Sequence, residues 1–277
     1  MSLARRTQER ILAMKTASAP ATGGGLAITA AGTMPAADQA PAPNRPGGTA
    51  AAQIAMRLTH DLRRLKNIKA IDRKIAAKRE MLPEYFAWVD GVLEAGRMTN
   101  GRELGSTGAD EVLPTVMVWS IDTGDWMRAL ALASHVLRFS VPLPARYERD
   151  AATLVLEDIA EVALKVQMQG GSFPLWVLEA VEELTADIDM HDQPRAKLLK
   201  AIGAELARAA GDAEPDKARP LITSALDRLG RAQALHDRVG VKTQIKGLEK
   251  ALAALPAPSE PTGDAGSTEQ AGDTPAA

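Results

Sequence analysis

AAQIAMRLTHDLRRLKNIKAIDRKIAAKRE, residues 51–80, decides the class of fold. Its apolar residues Ile54, Leu58, Leu62, Leu65, Ile68, Ile71 and Ile75 follow one another at steps of three and four. Such steps keep side chains on one face of an α-helix, whereas a strand would need alternation at every second position. The mean step is 3.5, the period of a coiled-coil seam, over about three heptads. The spacing predicts one long helix over 52–80. Off the stripe lie Arg57, Arg63, Arg64, Lys66, Lys69, Arg73, Lys74, Lys78 and Arg79, opposed before Glu80 only by Asp61 and Asp72.

The rest of the chain repeats the helical signal. Pro83 disfavours helical geometry in the residue before it but suits the first position of a helix, so a second helix is expected from Pro83 to near Gly96. A Gly-rich loop, 97–109, follows. Asp110 to Ile121 and Trp126 to Leu137 read as a helical hairpin. Gly124 suits a left-handed cap and Asp125 suits an N-cap. Pro142 and Pro144 then interrupt the chain. Further helices are expected over about 150–168, from a Ser172 cap to about 185, over 192–210, and as a final pair near 215–236 and 239–254. That makes eight or nine helices in an all-α bundle of paired antiparallel helices, with hairpins resembling helical repeats.

Composition agrees. Only nine of 277 residues are aromatic, and the helix formers Ala and Leu are the commonest residues, with Arg frequent. Residues 16–50 contain the glycine run from Gly23, then Pro35, Pro41, Pro43 and Pro46-Gly-Gly, and read as a disordered linker. The expected organisation is a short basic helix over 1–15, the linker over 16–50, the basic amphipathic helix over 51–82, a helical body over 83–254, and a disordered acidic tail over 255–277. Charge is divided along the chain. Residues 1–79 carry 14 Lys/Arg against 4 Asp/Glu, a net +10, and the remaining 19 and 31 give −12. A basic arm on an acidic body suits a polyanionic partner.

Several function classes lack their residues. With no cysteine, disulfides, thiolate metal sites and cysteine nucleophiles are excluded. There is no P-loop, and His60, His135, His191 and His236 are too dispersed for ligand spacing. No apolar run approaches the roughly 18 residues of a membrane span, and none resembles a secretory signal. The expectation is a cytosolic protein, not secreted and without membrane contact.

Metal-dependent cleavage of DNA would need converging carboxylates. Three groups are available: Asp122 with Asp125, Glu157 with Asp158 and Glu161, and Asp187 with Asp189 and Asp192. Capping, turn and surface roles explain each more simply, so no catalytic residue and no metal ligand is assigned. No cofactor is expected, and Mg²⁺ would enter only if the chain cut DNA itself. Trp88, Trp119, Trp126 and Trp176 sit at apolar helical positions and read as core.

Three runs carry a resemblance. KREMLPEYFAWVDGVLE (78–94), DEVLPTVMVWSIDTGD (110–125) and LTADIDMHDQPRAKL (184–198) are similar to the small, or endonuclease, terminase subunit of temperate contractile-tailed phages. The resemblance covers most of 55–254. It implies an all-helical subunit that binds double-stranded phage DNA. With a large ATPase subunit, it initiates cleavage and packaging of the genome into the procapsid. It also implies self-association, since such subunits commonly form rings. The nine basic residues between Arg57 and Arg79 are the expected DNA contacts, through phosphates. Two other readings stay open. The basic face is also compatible with plain solvation beside a seam, and the hairpins with a non-catalytic scaffold for a protein partner.

Overall fold

The computed structural model describes residues 46–99 and 110–256. The expected helix over 1–15, most of the expected linker, the stretch 100–109 and the acidic tail from 257 lie outside the described residues.

Ten helices and no strand make up the described chain. They are α1 (Pro46–Asn67), α2 (Ile71–Met81), α3 (Pro83–Met98), α4 (Val112–Thr123), α5 (Trp126–Arg138), α6 (Ala151–Met168), α7 (Leu175–Leu184), α8 (Asp192–Gly211), α9 (Pro215–Leu235) and α10 (Lys242–Ala254). The all-α class holds. No helix among the described residues is long and apolar enough to cross a membrane.

The centre is α4, buried without interruption from Val112 to Ile121. Helices α1, α2, α3, α5 and α6 all pack against it. Trp119 on α4 meets Tyr85 on α3 edge to face, with ring centroids 5.8 Å apart. Gly124 ends α4 in the left-handed conformation, φ 78°, and the Asp125 side chain accepts from the Arg128 N–H to start α5. Asp150 starts α6 in the same way, accepting from the Thr153 N–H at 2.9 Å. Further along, α8 lies between α6 and α9. Gly203 makes the α8–α9 approach close, because a Cβ there would stand 2.6 Å from the Leu229 Cγ. The last helix, α10, leans on α9 and has no fully buried residue.

Five expectations change. The single helix over 52–80 is two helices, broken at 68–70, where Ala70 is extended at φ −71°, ψ 130°. Neither Pro nor Gly causes the break. Asn67 and the β-branched Ile68 are mediocre helix formers, and Asp72 favours a new N-terminus beside it. Packing adds the larger reason: the turn brings Ala77 and Met81 into the core on α4, which a straight helix would carry away. The coiled-coil seam is therefore interrupted. Leu58 and Leu65 are buried in the chain's own core, while Ile71 is 73% exposed. Ser172 does not cap α7, whose N-cap is Pro174 with no side-chain bond. Residues 46–50 of the expected linker are the first turn of α1, which starts at Pro46. Ten helices replace the expected eight or nine, the extra one coming from the break.

Candidate nucleic-acid interface

The nine basic residues divide by what holds them. Arg57 pairs with Glu84 at 3.0 Å and Arg64 with Glu80 at 2.8 Å. Lys78 pairs with Asp122, and the Arg79 guanidinium donates to the Thr123 carbonyl at 3.2 Å. The last two reach the C-terminal end of α4, where unsatisfied carbonyls and the helix dipole favour cations. Lys78 and Arg79 thus fasten α2 to the core.

The other five, Arg63, Lys66, Lys69, Arg73 and Lys74, make no ion pair among the described residues. They straddle the elbow between α1 and α2. All are exposed except the half-buried Lys74. Asp61, the acid nearest to them on α1, is turned inward and accepts from the buried Tyr85 hydroxyl at 2.7 Å. The elbow therefore presents a compact group of cations with only Asp72 among them. Sequence alone could not divide the nine, because the partners lie 16 to 44 residues away.

The acidic groups are placed as follows. Asp122 is taken by Lys78, and Asp125 caps α5. Glu157 and Asp158 share Arg149, at 2.8 and 3.0 Å, and Lys197 joins Glu157 to Glu161 at 2.7 Å each. The Lys197 bond, with Arg149 behind it, holds the Glu157 carboxyl below its usual range. Burial pushes Asp158 up, against the pull of Arg149. This network ties α6 to α8. Asp187 and Asp189 are exposed between α7 and α8, and Asp192 is exposed as the first residue of α8. No group of three or more His, Asp or Glu able to hold a metal occurs among the described residues.

Of the histidines, His135 is buried against Phe139, with centroids 4.7 Å apart, and burial lowers its pKa, helped by Arg138. Sequence reading missed Glu205. It is 3% exposed and accepts from the Gln167 amide and the Phe173 N–H, both at 2.8 Å, with Arg208 at 3.2 Å. Its one local partner, Arg208, is an ordinary i,i+3 pair, and the contacts that bury it come from α6 and the α6–α7 connection.

Comparison with known proteins adds the family. The model of the phage small terminase subunit matches residues 55–193, which include all nine basic residues. The "Terminase, endonuclease subunit" of Escherichia phage P2 is 37% identical over 206 residues, covering 74% of this chain and 76% of that protein. The "Probable terminase, endonuclease subunit" of Haemophilus phage HP1 is 24% identical over 209 residues, 74% of this chain and 71% of that protein. No solved structure gives a significant match.

Proposed function

This chain belongs to the phage small terminase subunit family, with a role in phage DNA packaging, and from that premise we propose that it is the subunit that grips the DNA. The observation that carries the reading is the elbow, where Arg63, Lys66, Lys69, Arg73 and Lys74 make no ion pair among the described residues. Phosphates of a duplex are the complementary ligand, and each contact releases condensed counterions. Arg57 and Arg64 form a second tier. Their pairs with Glu84 and Glu80 are exposed, contribute little, and exchange readily for phosphate.

Backbone contacts of this kind position a protein on DNA without reading its sequence. Self-association would repeat the elbow around an axis and multiply weak contacts. The acidic half, residues 80–277 at −12, suits protein contacts, and the large ATPase subunit is the proposed partner there. Both named relatives are called endonuclease subunits. In this chain the Glu157, Asp158 and Glu161 carboxylates are held by Arg149 and Lys197. We therefore assign it the positioning of the cut, made together with the large subunit in the bacterial cytoplasm.

The test is binding of the full chain to duplex DNA across about 50 to about 200 mM salt. Five phosphate contacts predict a log–log slope near −4.5, at about −0.9 per contact. Changing the five elbow bases to Glu should abolish binding. Unchanged affinity would remove the elbow from the mechanism, and capture of a protein partner without any DNA binding would favour the scaffold reading. Mg²⁺-dependent nicking by the purified chain alone would place the cutting centre here instead.

A further inference from the structure

Far along the chain from the elbow, where the end of α8, the start of α9 and the end of α10 meet, an apolar groove of ≈ 240 Å³ lies open. Ala207, Ala210, Ile222, Leu248, Ala251 and Leu255 line it, and no charged residue does. An apolar cavity of roughly 150 Å³ already accepts a benzene-sized group, so this one has room for aliphatic side chains. The α8–α9 connection alongside carries Asp212, paired with Arg208 at 3.6 Å, and the exposed Glu214 and Asp216, with Lys217 following them. Small residues on both walls admit close approach of another backbone. The fitting occupant is thus an apolar segment bearing positive charge.

We propose that residues 2–15 of the chain itself dock in this groove. Among the segments outside the described residues, 257–277 contain no Leu, Ile, Val, Met or aromatic residue, and 100–109 contain only Leu104. Residues 16–45 hold Leu26, Ile28 and Met34 but only one base, Arg45. Residues 2–15 combine Leu3, Ile11, Leu12 and Met14 with Arg5, Arg6, Arg10 and Lys15 against one acid, Glu9. At helical spacing Leu3, Thr7, Ile11 and Met14 share one face. That face fits the groove, and the bases complement the exposed Glu214 and Asp216 beside it. Reach is no obstacle, since the 30 residues from 16 to 45 span up to ~100 Å when extended. Docking also covers α10, which has no fully buried residue.

The absence of native cysteine makes the test clean. In the full chain, Met14→Cys is paired with Ala251→Cys, an exposed position on the groove wall, or with Met168→Cys, 88% exposed at the end of α6. Under mild oxidation the first pair should form its disulfide roughly tenfold faster than the second. A monomeric product reports docking within one chain and a dimeric product docking onto a neighbouring copy, and both support the proposal. Equal rates overturn it. Hydrogen exchange supplies an independent arm that does not depend on cysteine geometry. Deleting residues 2–15 should speed exchange in α10 roughly tenfold. Unchanged exchange overturns the proposal. So does protection that survives the deletion but disappears on dilution, or that arises only on adding the large subunit, since those outcomes give the groove to a second copy's body or to the partner.

Discussion

The buried Tyr85 hydroxyl donates to Asp61 Oδ2 at 2.7 Å, so that one side chain of α3 holds both the position of α1 and the inward turn of its only central acid. Removing the hydroxyl with Tyr85→Phe leaves the Asp61 carboxylate short of a donor. We expect a loss of about 1–3 kcal/mol, read by denaturant unfolding. Burial, then the Asp61 bond, pushes the Tyr85 phenol well above its ordinary value of 10.0. In the unfolded chain the phenol ionises near pH 10 and in the folded chain it does not. Stability from this group is therefore complete below about pH 10 and lost as pH rises above it. Tyr85→Phe should flatten the alkaline limb, and an unchanged limb would contradict the assignment.

Paired and unpaired bases should behave differently. Lys78→Gln together with Arg79→Gln detaches α2 from the end of α4. The expected effect is lower stability, about 1–2 kcal/mol, since Lys78 is largely screened from solvent. The elbow bases should do the reverse. Lys66→Gln or Arg73→Gln should leave stability within about 0.5 kcal/mol and reduce the salt slope of DNA binding by about one contact. Thermal unfolding beside a salt titration reads both.

Gly203 is required by proximity rather than by backbone conformation. A Cβ there meets Leu229 Cγ at 2.6 Å and the Ala225 carbonyl at 3.3 Å. Gly203→Val should cost about 1–3 kcal/mol by forcing α8 from α9. Leu229→Ala in the same chain should return part of the loss, because the two changes share one contact. Strict additivity would show that the crowding lies elsewhere.

His135 predicts the acid side. Burial, then Arg138, lowers its pKa below the ordinary 6.5. The unfolded chain takes a proton as pH falls through 6.5 while the folded chain resists. Stability should therefore be intact above about pH 6.5 and decline below it. His135→Asn, which stays neutral, should flatten that decline. Gly96 faces the ring, with a built Cβ only 2.5 Å from the imidazole carbon, so Gly96→Ala should destabilise at every pH.

Glu205 predicts a loss without any role at the interface. Glu205→Ala strands the buried Phe173 N–H and leaves the Gln167 amide only the Ala201 carbonyl. An expected cost of about 2–3 kcal/mol follows, with DNA affinity unchanged in the folded protein. Glu205→Gln should retain one acceptor and lose less.

By itself, the sequence determined that the chain is helical, where most helices begin and end, and which half is basic. Those properties are local: apolar steps of three and four, Gly124 in a left-handed cap, Asp125 and Asp150 accepting from the residue three ahead, and prolines at first turns. Only the tertiary structure decided that the stripe from Ile54 to Ile75 breaks at Ala70, because the gain from burying Ala77 and Met81 on α4 is invisible to a helical period. It also decided which of nine similar cations make ion pairs among the described residues. Arg64 meets Glu80, and Lys78 meets Asp122, across distances in sequence that no local pattern encodes. An ion pair depends on where two helices come to rest, and charge alone does not specify that.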